Sequence, residues 1–181
     1  MHVEAWDQVF VRARRADVHP LLRDPGLYGH WWPGVSTTSG AEGATHLSLR
    51  PPTVAARLGR RSQQIAVTVV KDRADLGVDL AYRGTLDGAA EWYYLDESAG
   101  TVVHYVLHAE VADRAWRRTL AEHRACVRAG MGELKDRLEG ARTPGAEPDP
   151  VLLADQHRAQ AAFQAGVQAW AAKQAKQGAQ S

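Results

Sequence analysis

The sequence predicts an α+β domain in which a curved antiparallel β-sheet wraps around one long C-terminal helix, with two short helices after the first strand. Three observations carry that prediction. Alternating or β-branched segments follow one another from Ala44 to Val111, and their connections are short and rich in Gly, Asp and Ser. A helical period then opens at Asp113 and holds until Gly140. A sheet with one apolar face needs an element to cover it, and this helix is the longest available.

Taken in order, Gln8–Ala13 alternates, with Val9, Val11 and Ala13 on one side of a half-buried strand. Asp17 is placed to cap a short helix with Pro20 in its first turn, and Asp24-Pro25 to start another that stops before Pro33. Strands are predicted at 44–50, 64–70, 77–83, 89–95 and 101–111, and Val35–Ser39 adds a further candidate. The turns at 72–75, 84–88 and 96–100 suit tight hairpins, so neighbours in sequence should pair antiparallel. Trp116, Leu120, His123, Val127, Met131, Leu134 and Leu138 recur every three or four residues, and the helix they predict is about 40 Å long.

The chain divides at Gly140. Residues 1–140 form the body. The 141–150 segment carries the Pro and Gly of a linker, and 151–181 is a tail with ten Ala and seven Gln among 31 residues. Asp149 and Pro150 suit the start of a helix, whose larger apolar residues, Leu152, Leu153, Phe163, Val167 and Trp170, form a narrow stripe. That stripe, on the 151–177 helix, is a candidate surface for a second copy or a protein partner. An undocked tail is the alternative reading.

Composition narrows the function. The 181 residues are 45% apolar and 24% charged, in the range of an ordinary globular domain. A net charge of +1 gives no positive field for nucleic acid. Cys126 is the only cysteine, which excludes an intramolecular disulfide and points to a reducing compartment. The start of the chain lacks a basic stretch followed by an apolar run, and no window could span a membrane, so a cytoplasmic location is expected. No glycine pattern of a nucleotide loop occurs, and no cofactor is expected. His104 and His108 lie four strand residues, about 13 Å, apart, too far to share a metal ion. His19, His30, His46 and His157 show no ligand spacing either, and no metal is expected.

Several local motifs, in the order of these elements, add a resemblance. Asp24-Pro25 leads to Trp31-Trp32-Pro33-Gly34-Val35; Gly84-Thr85-Leu86-Asp87-Gly88 precedes Trp92; Gly100-Thr101 opens the last strand. On the final helix His123, Gly130 and Leu134 follow. Over roughly Trp6 to Glu139 the chain resembles the START-like helix-grip (SRPBCC) superfamily, specifically its polyketide cyclase/dehydrase branch. It departs at Glu122, where an Asn commonly precedes the histidine, and at Val127, where a Met is usual. The resemblance implies a helix-grip fold and a hydrophobic ligand.

In that architecture a gap between sheet and helix would be a cavity lined by inward residues. Val103, Tyr105, Leu107 and Ala109 share one face, as do Ala90, Trp92 and Tyr94, and Val78, Leu80 and Tyr82. Each buried Tyr hydroxyl or Trp N–H needs a partner, so these aromatics suit a ligand wall, with ordinary core packing as the competing reading. The candidate ligand-binding set is Trp31, Tyr82, Trp92, Tyr94, Tyr105, Leu107, Val127 and Met131, of which Trp31 or Trp32 should plug the core. His123, with Tyr105 or Tyr94 opposite, is the candidate catalytic group: it could take a proton beside a ketone or give one to a leaving hydroxyl. Cys126 has no orienting third group and reads as packing. Arg57, Arg60 and Arg61, near Pro51 and Pro52, suit a solvated loop or a cavity mouth. Three functions remain open: a cyclase/dehydrase acting on an aromatic or polyketide-like molecule, a non-catalytic carrier or sensor of a lipid, quinone or polyketide, and a protein-interaction module.

Overall fold

A computed structural model describes residues 1–51, 62–97, 99–112, 114–140, 147 and 149–178. Strand β1 (His2–Val11) is followed by helix α1 (Arg15–Leu22), a 3-10 turn (Pro25–Leu27) and helix α2 (Tyr28–Trp31). Then come β2 (Val35–Ser39), β3 (Thr45–Leu49), β4 (Gln63–Asp72), β5 (Gly77–Gly84), β6 (Asp87–Glu97) and β7 (Gly100–Glu110). Helices α3 (Trp116–Glu139) and α4 (Pro150–Gly178) complete the chain. The strands form one antiparallel sheet in the order β1-β7-β6-β5-β4-β3-β2. Consecutive hairpins thus build β2 to β7, and β1 closes the row beside β7. The inward side chains of the strands and the buried stripe of α3 share one apolar core, so the predicted helix-grip arrangement is the observed one.

The first strand is longer than alternation predicts. It begins at His2, not Gln8; its inward row of Val3, Ala5, Asp7 and Val11 contains a carboxylate, which breaks the apolar pattern and hides the start from an alternation reading. Asp7 is tolerated there because Arg124 and Arg128 of α3 reach it at 2.9 and 2.7 Å. Burial alone would raise its pKa, but the two arginines outweigh this and hold it below the usual carboxylate value.

Asp17 does not cap α1. Arg14 holds the N-cap position, and Asp17, in the first turn, accepts from the Arg14 guanidinium at 3.0 Å while facing the positive end of the helix. Pro20 lies beyond the first turn, inside the helix. Asp24 behaves as predicted, accepting from Gly26 N at 2.9 Å at the head of the 3-10 turn. After α2 the chain turns at Gly34, whose φ of +77° and whose approach to the Arg50 carbonyl leave no room for a side chain.

The buried stripe of α3 is rotated from the one that large apolar residues outline. Thr119, His123, Cys126, Val127, Gly130, Met131 and Leu134 are buried, while Trp116, Leu120 and Leu138 are only partly so. Small residues lie where neighbours come closest. The Trp32 ring is packed so tightly on Gly130 that a Cβ there would sit 2.3 Å from Trp32 Cε2, and Trp32 Nε1–H donates to the Cys126 carbonyl at 2.7 Å. The helix closes at Gly140, with φ +57°. Asp113, expected as its cap, lies outside the described residues, as do 52–61 with Arg57, Arg60 and Arg61, and most of the 141–150 segment.

α1 covers the end of the sheet where hairpins turn: Arg15 pairs with Asp96 at 2.5 Å, and His19 meets Asp72 at 3.0 Å. α4 meets the body through its first turn, where Leu152 is buried and Leu153 half-buried, whereas Phe163, Val167 and Trp170 are exposed. Among the described residues, no helix is long and apolar enough to cross a membrane.

Candidate functional site

The inward rows of β5, β6 and β7 meet the middle of α3 at a group of polar atoms. Tyr105 of β7 places its hydroxyl 2.7 Å from His123 Nε2 and 3.4 Å from the Tyr82 hydroxyl of β5. The Trp92 ring lies on Tyr105, with centroids 4.8 Å apart, and Trp32 meets Trp92 edge-on at 5.9 Å. Trp31 stacks on Trp32 at 5.6 Å, which places both tryptophans of the motif in the core. Tyr94 goes elsewhere: its hydroxyl is 3.5 Å from His19 Nδ1, beneath α1, so Tyr105 is the tyrosine that faces His123.

Burial sets the electrostatics of this group. It lowers the pKa of His123 from 6.5 to about 4, against a small opposing effect of Asp7, so the imidazole is neutral at pH 7. Burial likewise pushes Tyr82 up to about 12 and raises Tyr105 well above the ordinary phenol value, so both stay protonated. The Cys126 thiol is pushed up to about 12 by burial, helped by Glu122, which leaves it a packed thiol rather than a nucleophile.

Three buried donors or acceptors in this layer have no hydrogen-bond partner among the described residues: His123 Nδ1, Trp92 Nε1 and Trp31 Nε1. For His123 this holds in either tautomer. If Tyr105 donates to Nε2, Nδ1 carries an orphan N–H; if Nε2 donates to Tyr105, Nδ1 presents a bare lone pair. A buried polar atom left unpaired costs about 1–3 kcal/mol, so such atoms mark places where a further group belongs.

The expected cavity is closed in this structure. Tyr82, Trp92, Tyr94, Tyr105, Leu107, His123, Val127 and Met131 are only 0–3% exposed, which leaves no ligand-sized void beside them. Trp32 and the stacked aromatics fill the space that strand alternation alone suggested would stand open. A surface depression of about 380 Å³ lies at the end of this layer, lined by Ser62, Gln63, Thr85, Ala115, Arg118, Thr119 and Glu122. Its floor is a latch between sheet and helix: the Gln63 amide donates to the Thr119 carbonyl at 2.7 Å, while Gln63 Oε1 is buried without a partner among the described residues. Thr119 is one turn before His123. Gln63 was legible only as the polar member of an inward row with Ile65 and Val67; Trp32 and Tyr28 join the layer through the turn of α2.

His104 and His108 lie on the face of β7 turned away from α3. His104 is sandwiched there, stacked on Tyr93 at 4.3 Å and accepting from Trp6 Nε1 at 3.0 Å, and its burial lowers its pKa.

Together, the seven-stranded sheet, the gripped helix and the polar group between them define a START-like helix-grip fold. No protein-family model matches the chain, and neither does a curated protein. Solved structures with this fold include a START superfamily protein from Mycobacterium smegmatis, 13% identical, which matches 78% of this chain and 100% of that one with a TM-score of 0.58. The di-domain ARO/CYC StfQ from the steffimycin biosynthetic pathway is 14% identical over 76% of this chain and 52% of that one, with a TM-score of 0.52. The di-domain ARO/CYC BexL from the BE-7585A biosynthetic pathway is 17% identical over 78% and 51%, with a TM-score of 0.54. The chain thus spans about half the length of each di-domain protein.

Proposed function

We propose that this protein binds a hydrophobic, aromatic or polyketide-like small molecule between the sheet and α3, and that His123 and Tyr105 recognise its polar end. The observation that carries the reading is the buried, unpartnered Nδ1 of His123, set among aromatic rings and hydrogen-bonded through Nε2 to Tyr105. The ligand enters by parting the Gln63–Thr119 latch and displacing packed side chains. Similarity in fold to two ARO/CYC proteins of biosynthetic pathways supports an aromatic or polyketide-like class.

A neutral imidazole with a pKa of about 4 is a weak base, which favours binding over proton abstraction while the interior is dry. The catalytic reading, cyclisation and dehydration by general acid–base chemistry, draws on the same short Tyr105–His123 contact, which positions a proton donor beside an acceptor. Extraction of the purified protein followed by mass spectrometry tests binding, and incubation with a synthetic poly-β-ketone tests turnover. If His123→Ala retains the ligand while turnover falls about 100-fold, the protein is a cyclase/dehydrase. Ligand recovered unaltered makes it a carrier or sensor. If no hydrophobic molecule is retained by the wild type, the proposal fails.

The exposed Phe163, Val167 and Trp170 of α4 support a second role for the 151–177 helix as a contact for another copy of the chain. A monomeric mass for the full chain in solution would exclude it.

A further inference from the structure

On the face of the sheet turned away from α3, the pairing of β1 with β7 sets Glu4 opposite His108 and His2 opposite Glu110. All four side chains are exposed. His2 Nε2 lies 3.2 Å and His108 Nδ1 3.4 Å from the same oxygen, Oε1 of Glu4. One ligand atom from each of His2, Glu4 and His108 falls within 4.8 Å of the others. In tetrahedral coordination with bonds of about 2.1 Å, neighbouring ligand atoms are about 3.4 Å apart, so two of the three edges already have the right length.

The fourth residue adds a second feature of a metal site. His2 Nδ1 is 3.4 Å from Glu110 Oε1, so a carboxylate can accept the N–H on the far side of the ring and leave the Nε2 lone pair directed toward Glu4 and His108. The His2 and His108 rings lie nearly parallel, 22° apart with centroids at 6.5 Å. Both are carried on paired strands, whose backbones fix the spacing, while the exposed side chains need only small rotations to close the third edge. Spacing along one strand does not reveal this group, since two strands distant in sequence contribute to it.

We propose that His2, Glu4 and His108 bind a divalent transition-metal ion, with Glu110 orienting His2. Two imidazoles and one carboxylate suit Zn²⁺, Ni²⁺ or Cu²⁺ and not Mg²⁺ or Ca²⁺, which prefer oxygen alone. The ion straps β1, the edge strand, to β7. Water fills its remaining positions, and the site is independent of the space between sheet and α3.

The test uses the untagged full-length chain, freed of metal by a chelator and titrated with ZnCl₂ in a calorimeter, with Co²⁺ absorption as a second readout. The expected result is one ion per chain with a micromolar dissociation constant, a visible Co²⁺ band of tetrahedral intensity that Zn²⁺ abolishes, and a higher unfolding midpoint with Zn²⁺. Glu4→Gln and His108→Ala should each weaken affinity at least tenfold, whereas His157→Ala should not. These residues are exposed, so circular dichroism should show both variants folded as the wild type is. Absence of saturable Zn²⁺ binding, or equal affinity in wild type, Glu4→Gln and His108→Ala, overturns the proposal.

Discussion

The Tyr105 hydroxyl and Nε2 of His123 are 2.7 Å apart, in a layer where neither residue is more than 1% exposed. That contact joins β7 to α3 across the core, beside the Trp92 ring. Replacing Tyr105 by Phe keeps the ring packing and removes the hydroxyl, leaving both His123 nitrogens unpaired. A loss of about 1–2 kcal/mol in stability is expected, measured by denaturant unfolding, along with weaker retention of any extracted ligand. Unchanged stability and retention would show that the contact contributes to neither.

His123 also makes stability depend on pH. Its folded pKa, about 4, is below its ordinary 6.5, so the unfolded chain binds the proton first. The neutral histidine therefore gives its full stability above pH 6.5, and stability falls as pH drops from 6.5 toward 4, by about 3 kcal/mol in all. His123→Gln should flatten this part of the stability profile. A histidine resonance titrating near 4 in NMR would identify the group directly, and titration near 6.5 would contradict its burial.

Gly130 gives a steric prediction. With Trp32 Cε2 only 2.3 Å from where a Cβ would stand, Gly130→Ala must shift the indole or the helix. The gain in helix propensity is outweighed by overpacking, and a net loss of about 1–3 kcal/mol is expected in thermal or denaturant unfolding. Gly132, with no heavy atom near its Cβ position, is the control: alanine there should stabilise.

Asp7 ties the edge strand to α3 through Arg124 and Arg128. Asp7→Asn removes the charge from a buried position and one of its two acceptor oxygens, so a single neutral amide oxygen is left to face two guanidinium groups. The cost should be about 1–3 kcal/mol. In the wild type this contribution is present above the ordinary carboxylate pKa of 3.8 and is lost as pH falls through the lower folded value. Acid unfolding curves of the two proteins should therefore converge at low pH.

Removal of residues 157–181 tests the tail. Leu152, which the truncation keeps, is the only buried side chain described on α4, so the stability of the body should change by no more than about 0.5 kcal/mol. A large drop would show that the body leans on the tail.

Most of the architecture was already written in the chain. Period-two alternation at Val103–Ala109 and Val78–Tyr82, hairpin residues between strands and a three-to-four period from Trp116 onward required the sheet and its covering helix, because local geometry follows side-chain period directly. The same alternation selected Tyr82, Trp92 and Tyr105 as inward, and the helical period selected His123. What depended on tertiary structure was which of them meet. Tyr94 and Tyr105 share an inward pattern, yet one meets His19 and the other His123, since α1 covers one end of the sheet and α3 the middle. Packing also decided that the interior is filled: Trp32 reaches in over Gly130, a contact between residues 98 positions apart that no local pattern encodes. Asp7 hid the start of β1 for the same reason, its arginine partners lying 117 and 121 positions away. The sequence determines period, and period determines which way a side chain points; distance between side chains on different elements is set only when the elements pack.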